Sequence, residues 1–377
     1  MKGMNLGYQR VSRKNPCRIC GKPDWCSITL DLNISFCARS SKNADKLSRN
    51  GWGIYYYKIN NPLSSKYTFS AKQPCRAKPT PIAPIDLRNK IYQKLIQLSP
   101  LSECKELRFN DEWISVQIRE MSRYGLFPKA TIERHRLVQS LIESFVKDDA
   151  IVPSFNGVPG FWRGLNGGLR LGSDFDSVDD MLLIPFYDPN GFIQACQIRI
   201  MRRSPNTSGK YLWLSSIRQR DGCGPGTPLH HEGAVDYKGK TNRTVLVTEG
   251  ALKAATVQTF LTDRYVVGNS GVTTSHWEII KTARKKTLEI AFDADCFTNP
   301  HVARAVASLI SLRIREQQFL SYDHPTRILT WDKRFKGIDD ALIAGASLKY
   351  LEVSDWLGLL TPECFAEANH QLAGISL

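Results

Sequence analysis

Thr244-Val-Leu-Val-Thr-Glu-Gly250 and Leu288-Glu-Ile-Ala-Phe-Asp-Ala-Asp295 are two short apolar runs that each end in acid. Runs of this length and kind read as strands buried in a parallel sheet, each followed by a helix. Side chains alternate along a strand, so Asp293 and Asp295, two positions apart, lean the same way as the strand runs out. In an open parallel sheet ligands bind beyond the carboxyl ends of the strands, where Glu249 joins the pair if the two strands are neighbours. Three carboxylates gathered without fixed cations repel one another, so the arrangement calls for Mg²⁺ or Mn²⁺, hard ions that take oxygen ligands. The plain alternative for a lone Asp-x-Asp is a helix cap or a loop.

The order of the surrounding elements favours the acidic site. After Glu249 the sequence predicts a helix over 251–260, a strand over 265–268, a Gly-Asn-Ser-Gly turn and a helix over 275–284. The Asp-x-Asp strand follows, then a helix over 301–315, a strand over 327–331 and the phrase Lys336-Gly-Ile-Asp-Asp340. This alternation predicts a doubly wound α/β unit. With these residues in place, the segment resembles the TOPRIM domain shared by bacterial-type primases, topoisomerases and some nucleases. Glu249, Asp293 and Asp295 match that family's acidic pattern residue by residue. Asp339 or Asp340 falls on the acidic segment that follows the next strand in primases. The resemblance implies catalysis at Glu249, Asp293 and Asp295, with Asp339 and Asp340 added as ligands of magnesium or manganese.

At 377 residues the chain is long enough for two or three domains, and a hydrophobic content of 42% fits a globular protein. Its formal net charge of +15 asks for a polyanionic partner, nucleic acid before an anionic membrane surface. No apolar run approaches the roughly 20 residues that span a bilayer, and no apolar signal core opens the chain. The expectation is a cytoplasmic, nucleoid-associated protein with no membrane partner.

Four of the ten cysteines, Cys17, Cys20, Cys26 and Cys37, are spaced C-x2-C-x5-C-x10-C. In a reducing compartment this reads as a closed, structural Zn²⁺ site of four thiolates. Residues 1–80 carry 15 Lys or Arg against three acids, a net of +12, which favours salt-sensitive contact with DNA phosphates. Trp25, Phe36, Trp52 and Tyr55 to Tyr57 supply a small core, with one or two left to stack on bases. The resemblance to primases extends here, because that family carries an N-terminal zinc-binding domain that touches single-stranded template. Its common ligand set is three cysteines and one histidine, and this chain departs from that.

Residues 61–85 hold five prolines and no acid and read as an extended linker, which leaves the zinc module tethered and mobile. Helical spacing recurs at Ile91, Leu95 and Leu98, and again at Ile114, Ile118 and Met121. The segment 157–180 is glycine-rich and reads as a loop, while His135, His230 and His231 are expected to have no metal role. The runs 181–187 and 192–200 around Asp188-Pro-Asn-Gly191 predict a β-hairpin. Arg199, Arg202, Arg203, Lys210, Arg218 and Arg220 then follow within 22 residues free of acid, as cations to face the carboxylates across a groove. The phrases Ile184-Pro-Phe-Tyr-Asp-Pro-Asn-Gly-Phe-Ile193 and Lys210-Tyr-Leu-Trp-Leu-Ser215 are similar to ordered motifs of the primase core. By that resemblance the basic residues bind template or nucleotide phosphates.

The expected architecture is a zinc ribbon (1–60), a flexible linker (61–88), a helical and basic α+β subdomain (89–240), a TOPRIM-type, doubly wound, mainly parallel α/β sheet (241–350) and a short C-terminal segment (351–377). The resemblance implies a DNA primase that makes short RNA primers on single-stranded DNA from nucleoside triphosphates, with a replicative helicase or another replication protein as partner. The 37 residues after Asp340 are too few for the helicase-contacting domain of replicative primases, which suggests a plasmid or other mobile element. Two other readings use the same residues: a metal-dependent TOPRIM nuclease, and a non-catalytic zinc-dependent protein that binds single-stranded DNA.

Overall fold

The computed structural model describes residues 8–29, 34–42, 44–48, 51–56, 80–101, 123–164, 166–172, 181–200, 210–219, 221–236 and 243–375. The N-terminal module is an antiparallel sheet of β1 (Tyr8–Arg10), β2 (Ser27–Thr29), β3 (Ile34–Cys37), β4 (Lys46–Leu47) and β5 (Gly53–Tyr56), in the order β1-β2-β3-β5-β4. Its buried cluster is little more than Cys17, Cys26, Cys37, Ala38 and Tyr55. So small a core needs a staple.

The middle unit contains α1 (Ile85–Gln97), β6 (Gly125–Phe127), α2 (Thr131–Asp149), the hairpin β7 (Phe161–Arg163) and β8 (Leu169–Leu171), and then β9 (Met181–Tyr187), β10 (Ile193–Ile200) and β11 (Tyr211–Trp213). The last three join β6 in an antiparallel sheet ordered β11-β10-β9-β6. The expected hairpin forms because Asp188 Oδ1 accepts from the amides of Asn190 and Phe192, both at 2.8 Å. β9 is buried along its whole length. Met181 and Leu183 pack with α1 and α2, whereas Leu182, Ile184 and Phe186 pack against Ala251 and Leu252 of the next unit.

That unit holds β12 (His230–His231), α3 (Gly233–Asp236), β13 (Thr244–Glu249), α4 (Ala251–Phe260), β14 (Tyr265–Asn269), α5 (His276–Thr282) and β15 (Thr287–Ala291). It continues through α6 (Pro300–Leu320), β16 (Thr326–Thr330), α7 (Ile338–Ile343), β17 (Lys349–Leu351), α8 (Val353–Gly358) and α9 (Pro362–Leu372). The sheet runs β12-β14-β13-β15-β16-β17; the four inner strands are parallel and both edges antiparallel. Valines and isoleucines of the inner strands bury one face under α5, α6, α8 and α9, and the other face under α4 and α7. The side chain of Asn299 caps α6 by accepting from the His301 amide at 3.1 Å, with Pro300 in the first turn.

Several boundaries differ from the sequence reading. The sheet begins at β12, before residue 241, because a two-residue edge strand carries no periodic signal. Residues 351–375 are no appendage: Trp356, Cys364, Ala368 and Leu372 enter the main core. The chain is already anchored at Ala83, whose amide donates to Gly157 O at 2.8 Å, and α1 starts at Ile85; the expected linker residues 61–79 and the helical phrase around Ile114 to Met121 lie outside the described residues. The zinc module is docked rather than free. Arg304 on α6 donates to Gly51 O at 2.5 Å and Ala38 O at 3.3 Å, and Glu367 on α9 accepts from Ser41 Oγ at 3.0 Å.

A second joint ties the middle unit to the sheet. Arg123 donates two bonds to Glu232, at 2.7 and 3.0 Å, and His230 Nε2 lies 2.7 Å from the same carboxylate. The Tyr187 amide donates to His230 Nδ1 at 3.2 Å, so Nε2 carries the ring hydrogen and gives it to Glu232.

Candidate functional site

Gly250 separates β13 from α4 at φ +92°, a conformation strained for any residue with a Cβ, so the turn after Glu249 asks for glycine. It releases Glu249 at the carboxyl end of its strand, and one helical turn later α4 brings Lys253 over the same end. β13 and β15 are hydrogen-bonded neighbours, as the sequence reading required. β15, however, stops at Ala291, and Asp293 opens a 3₁₀ turn over Ala294–Phe297, closed by the Cys296 amide on Asp293 O at 2.9 Å. Strand alternation therefore does not govern Asp293 and Asp295; the turn does.

Lys253 is the residue sequence reasoning missed. Its ammonium is ion-paired with Asp293 Oδ1, stands 3.9 Å from Asp339 Oδ1, and its side chain is 16% exposed. Burial disfavours the charge on Lys253, but Asp293, Asp339 and Glu249 outweigh it and push the ammonium's pKa up. Burial raises Glu249 against the pull of Lys253, and raises Asp339 likewise. Lys336 adds a second, exposed cation 3.4 Å from Asp293 Oδ2. The premise that the carboxylates lack fixed cations is thereby corrected. Of the two acids in Lys336-Gly-Ile-Asp-Asp340, Asp339 is buried and faces Lys253, while Asp340 is half-buried in the first turn of α7.

Asp295 is set differently. Its Oδ2 accepts from Asn299 Nδ2 at 3.3 Å, whereas Oδ1 is buried with no hydrogen-bond partner. Asn269, the register partner of Glu249, is fully buried, and neither end of its amide is bonded. Orphaned buried polar atoms at a strand-end crevice ask for a ligand. An all-oxygen donor set with one such oxygen fits a hard divalent ion.

Edge strand β11 packs Trp213 against the cluster that holds Ala251 and Leu252 at the start of α4. The phenol of Tyr211 is raised by desolvation and lies within electrostatic reach of Arg199, Lys253, Asp339 and Glu249. Arg199, its register partner on β10, is buried with its guanidinium 6.0 Å from the Tyr211 ring, and the Lys210 ammonium is 5.8 Å from that ring. Arg218 is exposed in the turn after β11. Arg202, Arg203 and Arg220 lie outside the described residues.

Among the described residues, the four cysteines are the one group of His, Cys, Asp or Glu whose ligand atoms all lie within 4.8 Å of one another. Cys20 Sγ and Cys37 Sγ stand 3.7 and 3.8 Å from Cys26 Sγ. Sulfurs on a tetrahedral zinc, each about 2.3 Å from the metal, stand roughly 3.8 Å apart, so the residues fit Zn²⁺ with no open position. The Cys26 thiol donates to Cys37 and holds it down, to about 5, which favours a thiolate there. The purified chain should carry about one zinc, and Cys26→Ser should lose it and unfold the module, because structural zinc contributes on the order of 10 kcal/mol. Metal analysis with hydrogen exchange at Ser35 to Ala38 reads both effects. Around this centre Tyr55 is a core residue that donates to Ser40 O and Lys42 O, whereas Trp25 is 55% exposed and held at φ +65°.

No family model matches the chain, and no curated protein matches it in sequence. Among solved structures it is similar to the zinc-binding and RNA polymerase domains of the Aquifex aeolicus primase, at 15% identity over 78% of this chain and 74% of that one, with a TM-score of 0.47. A DNA primase domain from Pseudomonas aeruginosa gives 14% identity over 69% of this chain and 75% of that one, with a TM-score of 0.44. The RNA polymerase domain of the Mycobacterium tuberculosis primase, in complex with a DNA oligomer bearing a 6-nucleotide overhang, gives 12% over 78% and 81%, with a TM-score of 0.46. Likeness at this level assigns no residue and no activity. Among the described residues no helix is long and apolar enough to cross a membrane.

Proposed function

We propose that the chain is a DNA primase, which builds short RNA primers on single-stranded DNA from nucleoside triphosphates. The observation that carries this reading is the placement of Glu249, Asp293, Asp295 and Asp339 at the carboxyl ends of the parallel strands and in α7, within electrostatic reach of Tyr211, which Arg199 and Lys210 flank. Phosphoryl transfer needs little covalent work from a protein; it needs in-line positioning and neutralised charge.

Glu249 and Asp295, with the neighbouring acids, would hold Mg²⁺ or Mn²⁺, which when bound lowers the pKa of the attacking 3′-hydroxyl and neutralises the triphosphate. Arg199 and Lys210 supply charge-assisted hydrogen bonds to phosphate from the opposite wall. By the resemblance in sequence, Arg202, Arg203 and Arg218 add further cations for template phosphates. Zinc keeps the N-terminal module folded, and the exposed ring of Trp25 gives it a surface on which a template base stacks.

The test is incubation of the purified chain with single-stranded DNA, Mg²⁺ and labelled ribonucleotides. Short labelled products that require template support synthesis. Shortened template with no labelled product would instead establish a nuclease, and binding without either product a non-catalytic role.

A further inference from the structure

We propose that the Lys253 ammonium is a resident cation of the acidic crevice. It fills with a single charge the place a second divalent ion would take, so that the crevice binds one Mg²⁺ or Mn²⁺ through Glu249 and Asp295. The inference deepens the metal-dependent reading above and rests on it.

Three features fix the ammonium there. Lys253 lies in the first turn of α4, where the helix dipole disfavours a cation and an acid would be the ordinary choice. Its position is therefore set by the carboxylates it meets rather than by the helix. Asp293 Oδ1 is taken by the ion pair, and Asp339 Oδ1 stands 3.9 Å from the same nitrogen. The third feature is Gly337, whose lack of a side chain leaves room for the pair: a Cβ built there would clash with Asp339 Oδ1 and stand 3.0 Å from Lys253 Nζ and 3.2 Å from its Cε. Gly337 has an ordinary φ of −103°, so close approach to Lys253 and Asp339, not backbone conformation, is what calls for glycine.

The charges then divide. Asp293 and Asp339 face a monovalent cation in a site only 16% exposed, and a divalent ion beside it would meet like-charge repulsion with little water to screen it. Asp295 Oδ1, by contrast, is buried and unpartnered, and the amide of Asn269 beside Glu249 is likewise unbonded. The divalent ion is therefore assigned to Glu249 and Asp295. Lys253 is on this account a positioning residue, since it acts through Asp293 and Asp339.

The zinc-loaded full chain should be titrated with Mn²⁺ and the bound ions counted by electron paramagnetic resonance, which needs no turnover. The wild type is expected to bind one Mn²⁺ that Asp295→Asn removes. Lys253→Met, which keeps the stem and drops the charge, is expected to bind two, and Lys253→Arg to stay at one. Two ions on the wild type, or one on a folded Lys253→Met, overturns the inference and leaves the metal-dependent reading standing. A wild type with no Mn²⁺ sensitive to Asp295→Asn overturns both. Should Lys253→Met fail to fold, the wild-type count of one against two decides alone.

Discussion

Asp295→Asn is expected to lower primer synthesis by on the order of 10³-fold while leaving the fold intact. A divalent ion at a phosphoryl oxygen is worth several kcal/mol of transition-state charge stabilisation, and each decade of rate corresponds to about 1.4 kcal/mol. The substitution is nearly isosteric. The 3₁₀ turn around position 295 is held by main chain, through Thr298 N and Asn299 N on Asp295 O at 3.0 and 2.7 Å, so the side chain is not what shapes it. What the change removes is a formal charge on an oxygen that meets no donor in the protein. Asp293→Asn is a poorer probe, because it weakens the ion pair of a mostly buried ammonium and mixes stability with chemistry. Incorporation of labelled ribonucleotide, with circular dichroism and zinc content as controls, reads the effect. A loss of less than tenfold in a folded chain would remove Asp295 from the catalytic set.

Some of this architecture is legible because local pattern and tertiary fate coincide. The runs before Glu249 and Asp293 are apolar without interruption, and the strands they form are covered on both faces. The hairpin around Asp188 is written in its turn residues, and the cysteine spacing fits a metal site whatever the rest of the chain does. The errors arise where the outcome depends on partners distant in sequence. The expectation that Asp293 and Asp295 share a face assumed a strand that continues, whereas the chain turns after Ala291. Lys253 could have been found by carrying the helical spacing of 251–260 back to Glu249, four residues earlier and one turn away. Nothing comparable announces α8 and α9 as part of the core, since Trp356 and Cys364 are buried in a cluster whose other members lie mostly far from them in sequence. The same holds for Arg123, Glu232 and His230, whose sequence neighbourhoods are unremarkable.

That last group carries the largest expected effect on stability outside the zinc module. Glu232 is fully buried, and burial alone would raise its carboxyl, but the hydrogen bond from His230 and the paired Arg123 hold it down, to about 2 against an ordinary 4.5. Glu232→Ala removes the acceptor of both partners and leaves the Arg123 guanidinium, 12% exposed, without its carboxylate. Breaking a buried pair from one side typically costs about 3–5 kcal/mol, and the denaturant midpoint of the variant should fall accordingly. The pH dependence gives an independent reading. A carboxyl held low on folding contributes stability that is whole above its unfolded value and is lost as pH falls through the folded one, here from about 4.5 towards about 2. That shift corresponds to about 3 kcal/mol. His231, pushed down to about 3 by burial, acts in the same direction over a window that opens near 6.5, because the unfolded chain takes up its proton first. Both chains keep this second slope, as they keep any loss of zinc in acid. The difference between wild type and Glu232→Ala should therefore be constant from neutral pH down to about 5 and shrink below it; a difference that stays level to pH 3 would mean that the carboxylate is not what the joint depends on.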